Sequence, residues 1–191
     1  MPEQPLSEAS AALSFDAFRS TVLTDYRLAM LSREASLLGR REVLGGKAKF
    51  GIFGDGKEVA QVAMAKFFQP GDFRSGYYRD QTFMLAAGLT TVRELFAQLY
   101  ADPDPAHEPA SSGRQMNAHF STPFLDEKGD WLPLTQLKNV SADSSPTAGQ
   151  MTRALGLAFA SKSFREIPAL HTLIELSNQG NEVCFATIGD A

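Results

Sequence analysis

Val183 to Ile188 is a nearly unbroken apolar run that stops at Gly189-Asp190. A run this short and this continuous reads as a strand of a parallel sheet with both faces covered. It predicts an α/β fold with a parallel sheet and flanking helices. In open sheets of this kind, ligands sit beyond the carboxyl ends of the strands. Asp190 therefore stands where a carboxylate can hold magnesium, which takes hard oxygen donors and shares them with phosphates. On spacing alone a capped strand–helix turn is the plainer reading. A domain rarely finishes at such an edge, so the pattern predicts that further chain follows Ala191.

The rest of the chain supplies the helices. Residues 1–13 read as a loose arm. Ser14 suits a helix cap and Asp16 the first turn. Phe18, Val22, Tyr26, Ala29, Met30 and Leu37 recur at helical spacing through about Gly39, so residues 1–40 form an arm plus an amphipathic helix. Further helices are expected over 58–68, through Met84 to Ala87, over 90–100, and from a Ser145-Pro146 start through about residue 161. His171 to Leu176 reads as a short helix. Residues 101–113 form a proline-rich loop. Residues 114–147 lack a clean period, with a short hairpin expected around 127–130. The small residues between Ala148 and Ala160 permit close helix contact, either within the chain or with another subunit.

With 191 residues, 43% of them hydrophobic and 21% charged, the chain has the composition of a folded domain. Its net charge of −4 does not favour nonspecific nucleic-acid binding, which needs clustered Lys and Arg. One cysteine, Cys184, rules out a disulfide within the chain, and its apolar strand suggests an inert buried thiol. The N-terminus lacks the pattern of a secretory signal, and no apolar stretch approaches the ~20 residues a membrane helix needs. A cytoplasmic location is expected.

Besides Gly189-Asp190, two glycine signals compete for phosphate chemistry. Gly51 to Lys57 has P-loop spacing, but Glu58 stands where magnesium needs Ser or Thr. Gly54 and Gly56 begin a dinucleotide fingerprint that fails at Val59. A glycine-rich turn between helices explains the segment better. Tyr77-Tyr78-Arg79-Asp80 is a second candidate, offering a tyrosine hydroxyl and a planar donor fork suited to phosphate, with a structural Arg79–Asp80 or Arg79–backbone contact as the plainer reading. His107, His119 and His171 lack shared ligand spacing, and core or loop roles are expected.

The segments GKAKFGIFGDGKE, GYYRDQTFMLAAGLTTVRELFAQLY, GRQMNAHF and SADSSPTAGQMTRALGLAFASK precede CFATIGDA in that order. From about residue 25 onward the chain resembles the alpha subunit, or the alpha half of an alpha–beta fusion, of the thiamine-diphosphate-dependent 2-oxo acid dehydrogenases. It most resembles the branched-chain, 2-oxoisovalerate type. The resemblance implies that residues 41–191 are the first part of a thiamine-diphosphate-binding alpha domain. It assigns Tyr78 and Arg79 to the diphosphate. Ser145, Pro146 and Thr147 would lie along the cofactor, with Thr147 where an aliphatic residue is usual. Gly189, Asp190 and Ala191 match the start of the Gly-Asp-Gly motif, with Asp190 on magnesium and Ala191 replacing the second glycine. Ser144, Pro146 and Gln150 match potassium ligands, while Gly149 replaces a hydroxyl residue.

The implied reaction is oxidative decarboxylation of a branched-chain 2-oxo acid, with acyl transfer to lipoyl. The implied partners are a beta subunit or fused beta domain and a lipoylated transacylase. The activating glutamate belongs to the beta side and the acyl-transfer histidine loop to later alpha sequence. No catalytic residue is therefore expected within these 191 residues, which alone should be inactive. Pyruvate or acetoin dehydrogenase is the alternative, and a noncatalytic assembly module of the same fold a third reading.

Overall fold

The computed structural model describes residues 14–189. The expected arm over 1–13, and Asp190 and Ala191, lie outside the described residues. The chain runs α1 (Phe15–Leu44), α2 (Glu58–Ala65), β1 (Phe73–Ser75), α3 (Gln81–Ala86), α4 (Val92–Leu99), β2 (Asn139–Ser141), α5 (Gly149–Glu166) and β3 (Cys184–Ala186). Short 3-10 turns occupy Leu134–Gln136 and Pro168–Leu170.

The local signals set several helix ends. Ser14 Oγ accepts from Ala17 N at 3.2 Å, with Asp16 in the first turn of α1. Thr91 and Glu94 form a reciprocal capping box on α4, at 3.2 and 2.7 Å. α1 continues past Gly39 to Leu44. Gly39 is buried against the Phe53 ring, where a methyl group would collide, so this glycine serves close packing and does not stop the helix.

The three strands are parallel, in the order β2-β1-β3. Phe73 lies between Asn139 and Cys184, and Ser75 between Ser141 and Ala186. Helices flank this small sheet, as the α/β expectation required. α2, α3 and the sheet enclose Phe68, Phe83, Met84, Phe120 and Val140, with Phe185 packed against them. The Phe68 ring centroid lies 5.2 Å from that of Phe83 and 5.3 Å from that of Phe185. Burying these rings supplies roughly 2–3 kcal/mol each.

Three expectations need correction. β3 is not covered on both faces: Cys184 and Phe185 are half-buried and Ala186 is exposed. It lies at the sheet's edge among the described residues, while β1 and β2 are buried throughout. Ser145-Pro146 does not open α5. The helix starts at Gly149, after Ala148 takes the left-handed conformation at φ 65°. The Pro146 carbonyl accepts from Gly149 N in the turn before it, and the Ser145 side chain is engaged elsewhere. Residues 171–176 make turns after the 3-10 segment and form no α-helix. The hairpin near 127–130 does form, through an antiparallel bridge between Leu125 and Trp131. Met151, Leu155 and Phe159 on α5 are exposed, so this apolar stripe is not core within the described chain.

Candidate functional site at the carboxyl edge of the sheet

Because all three strands run in one direction, their following segments leave from one edge. These are residues 76–80 after β1, 142–148 after β2 and 187–189 after β3. Every sequence-nominated residue lies in one of these segments, at the start of α5, or just past Gly189.

A buried guanidinium ties the segments together. Arg74, on the central strand, donates to Asp143 at 3.0 and 3.2 Å through one nitrogen and to Asp80 at 2.8 Å through another. It also donates to the Tyr77 carbonyl at 3.1 Å. Asp80 accepts in turn from Tyr77 N at 3.2 Å and from the Thr187 hydroxyl. Thr187 Oγ1 receives Tyr77 N at 3.0 Å. Asp80 thus joins the segment after β1 to the one after β3, and Asp143 brings in the one after β2. Burial favours the neutral form of Arg74, but the two carboxylates outweigh it and raise its pKa. Burial also raises the pKa of Asp143, and the Arg74 charge only partly offsets this, because one cation serves two acids.

Tyr78 and Arg79 project from this frame half-buried. The Arg79 peptide is pinned from two sides. Its carbonyl accepts from Gln61 Nε2 at 2.9 Å, and Gly54 packs against the same carbonyl, where any Cβ would collide. The Arg79 guanidinium carbon lies 5.6 Å from the Tyr77 ring centroid and 5.7 Å from that of Tyr78, the spacing of a cation over aromatic faces. Arg79 also lines a polar cleft of ≈ 450 Å³ with Arg40, Asp55 and Lys57.

Gly189 approaches the same place from β3. A Cβ on Gly189 would run into the Tyr77 ring and hydroxyl. Tyr77 therefore brings the Gly189 end of the chain to the turn that carries Tyr78 and Arg79. The Tyr77 hydroxyl donates to that of Tyr78.

The segment after β2 arrives through His119, which is buried as its expected core or loop role required. The His119 ring stacks on that of Tyr78, with centroids 5.8 Å apart and planes at 17°, and its Nε2 lies 2.8 Å from Ser145 Oγ. Ser145, Pro146 and Thr147 are exposed. Ser144 Oγ and Gln150 Oε1 are buried without a hydrogen-bond partner among the described residues. Ser144 Oγ lies beside Gly149, 3.2 Å from where a Cβ would stand. Gln150 Nε2 donates to the Thr187 carbonyl, and the Gln150 carbonyl accepts from Ser75 Oγ at 2.8 Å. Among the described residues no cluster of three or more His, Cys, Asp or Glu side chains is arranged to hold a metal.

Tyr78, Arg79, Ser145 and Gly189 are thus linked through Tyr77 and His119. No spacing rule joins His119 to these residues, although it falls in the quoted segment GRQMNAHF. In the glycine-dense loop, Gly54 is required by its contact with the Arg79 carbonyl. Cys184 is half-buried, with burial raising its pKa. No described helix is long and apolar enough to cross a membrane.

Residues 26–191 match the family model described as dehydrogenase E1 component, most of the chain's length. That family is thiamine-diphosphate dependent, and its alpha-type chains usually pair with a beta subunit. The chain belongs to the dehydrogenase E1 component family, as an alpha-type domain of a thiamine-diphosphate-dependent 2-oxo acid dehydrogenase.

Proposed function

We propose that the chain is the alpha portion of a branched-chain 2-oxo acid dehydrogenase, working in the cytoplasm with a beta subunit or fused beta domain and a lipoylated transacylase. The observation that carries this reading is the meeting of Gly189 with the Tyr77-Tyr78-Arg79 turn at the carboxyl edge of parallel strands. A cationic fork and a phenol there suit an anionic tail.

In this reading Arg79 and Tyr78 hold the diphosphate, and the two rings restrict where the guanidinium goes. Asp190, one residue beyond Gly189, takes the magnesium. Gly189 and Ala191 keep the backbone close to the phosphates. Ser145, Pro146 and Thr147 border the cofactor from an exposed loop. The buried oxygens of Ser144 and Gln150 that lack hydrogen-bond partners suit a potassium ion, together with the Pro146 carbonyl. When bound, thiamine diphosphate supplies the electron sink for loss of carbon dioxide from a 2-oxo acid. This chain's own part is to bind and orient, because proton activation of the cofactor belongs to the beta side. These 191 residues alone are therefore inactive.

The test uses the assembled enzyme with a lipoyl acceptor, supplied in turn with 2-oxoisovalerate, 2-oxo-4-methylvalerate and pyruvate. Preferred turnover of the branched acids is expected, and preference for pyruvate would replace the branched-chain assignment. Arg79→Ala should weaken thiamine diphosphate binding at least about tenfold, since a charge-assisted hydrogen bond is worth roughly 1.5–3 kcal/mol. Unchanged affinity would remove Arg79 from the site.

A further inference from the structure

His119 is buried, and both nitrogens of its ring have partners among the described residues. Its Nδ1 lies 3.2 Å from the Asn117 carbonyl oxygen, and its Nε2 lies 2.8 Å from Ser145 Oγ. A carbonyl oxygen has no proton to give, so Nδ1 carries the hydrogen. In the neutral ring Nε2 then presents a lone pair, and the Ser145 hydroxyl must be the donor. Ser145 is thereby left with only acceptor capacity toward anything bound beside it. The His119 backbone is fixed as well, since its carbonyl accepts from buried Gln98 Nε2 at 2.6 Å. Asn117, two residues earlier, exchanges hydrogen bonds with both backbone groups of Ile52, at 2.9 and 3.0 Å. The ring's flat face meets Tyr78.

We infer that His119 is a positioning residue of the cofactor site: it fixes the Ser145 hydroxyl as an acceptor and backs the Tyr78 ring, so that the segments after β1 and β2 present one surface. This rests on the functional reading above. It assigns His119 no contact with the reacting atoms. It also specifies the chemistry Ser145 meets, which is a donor such as an amine, because an ionised phosphate oxygen brings no proton to share.

A double-substitution cycle on the assembled enzyme tests it, with thiamine diphosphate affinity as the readout. His119→Phe keeps a flat ring against Tyr78 and removes the acceptor, and should weaken affinity about fivefold, in line with one lost hydrogen bond. His119→Gln restores an acceptor near the Nε2 position and should return affinity to within about twofold of the parent. On a Ser145→Ala background, His119→Phe should add less than about a twofold further loss. Parental affinity in His119→Phe, or losses that simply multiply, would overturn the inference. The same cycle on the thermal midpoint of the cofactor-free enzyme separates this claim from the functional one. Coupled midpoints are expected whether or not thiamine diphosphate binds, and additive midpoints would refute the His119–Ser145 link. A parent enzyme that shows no thiamine diphosphate binding would overturn both the functional reading and the cofactor role of His119, even if the midpoints are coupled.

Discussion

Arg74 and Asp143, 69 positions apart, face each other through contacts of 3.0 and 3.2 Å, and neither side chain is exposed to water. Asp80 shares the same guanidinium from another side, with its side chain almost fully covered. Gly76 makes room for this, because a Cβ there would occupy the guanidinium's own space. The arrangement fixes the spacing of the segments that leave β1 and β2 before any ligand arrives.

Removing the cation strands two buried carboxylates. Arg74→Met should destabilise the fold by about 3–5 kcal/mol. Arg74→Lys should also cost stability, because a point donor cannot span both acids. Asp143→Asn should cost less than Arg74→Met, since the guanidinium keeps Asp80 and the amide oxygen can still accept from it. Denaturant midpoints of the assembled enzyme check the order, and an Arg74→Met midpoint equal to the parent's would refute the account.

Gly54 and Gly189 are close approaches, not hinges. Gly54→Ala should push the Arg79 peptide away and cost roughly 1–3 kcal/mol, the usual scale for overpacking. It should also reduce the thermal shift given by thiamine diphosphate. Gly46→Ala is the control, since nothing stands within 4 Å of its Cβ position. Its φ of 76° alone should cost about 1 kcal/mol, with the cofactor shift unchanged. Equal cofactor shifts in the two variants would disconnect Gly54 from the site.

Tyr100, at the end of α4, donates to Glu42 near the end of α1 at 2.6 Å. The hydrogen bond to Glu42 raises the Tyr100 pKa, and the bonds from Tyr100 and Lys47 lower that of Glu42. A raised folded-state pKa gives stability that is fully present below the unfolded tyrosine value and lost as pH rises through the folded one. The lowered Glu42 value gives stability that is present above the unfolded carboxylate range and lost as pH falls through the folded value. Thermal melts of the parent and Tyr100→Phe should therefore differ near pH 7 and converge as pH climbs past about 10. A difference that grows in alkali would contradict the hydrogen bond's direction.

Local rules made several features of this chain legible. Ser14 acts on a neighbour three residues away, so its cap follows from short-range chemistry. The run at Val183–Ile188 announced a parallel strand because β-branched and aromatic residues fit a pleated surface. β1 and β2 stayed hidden, since Arg74, Ser75, Asn139 and Ser141 look like loop residues until their buried partners are known. Ser145-Pro146 misled for a related reason: the hydroxyl that would have capped a helix is held by His119, from another part of the chain.

The sequence alone determined the helical periods, the β3 strand, the hairpin around 127–130 and, through the ordered motifs, the family. Those signals depend on neighbours along the chain or on whole segments read together. The tertiary structure decided that Tyr77 meets Gly189, that His119 meets Ser145, and that one arginine holds two acids. Each of these contacts joins residues brought together by parallel strand pairing or by the loops packed on it. Sequence spacing carries no information about such a meeting until the strands are in register.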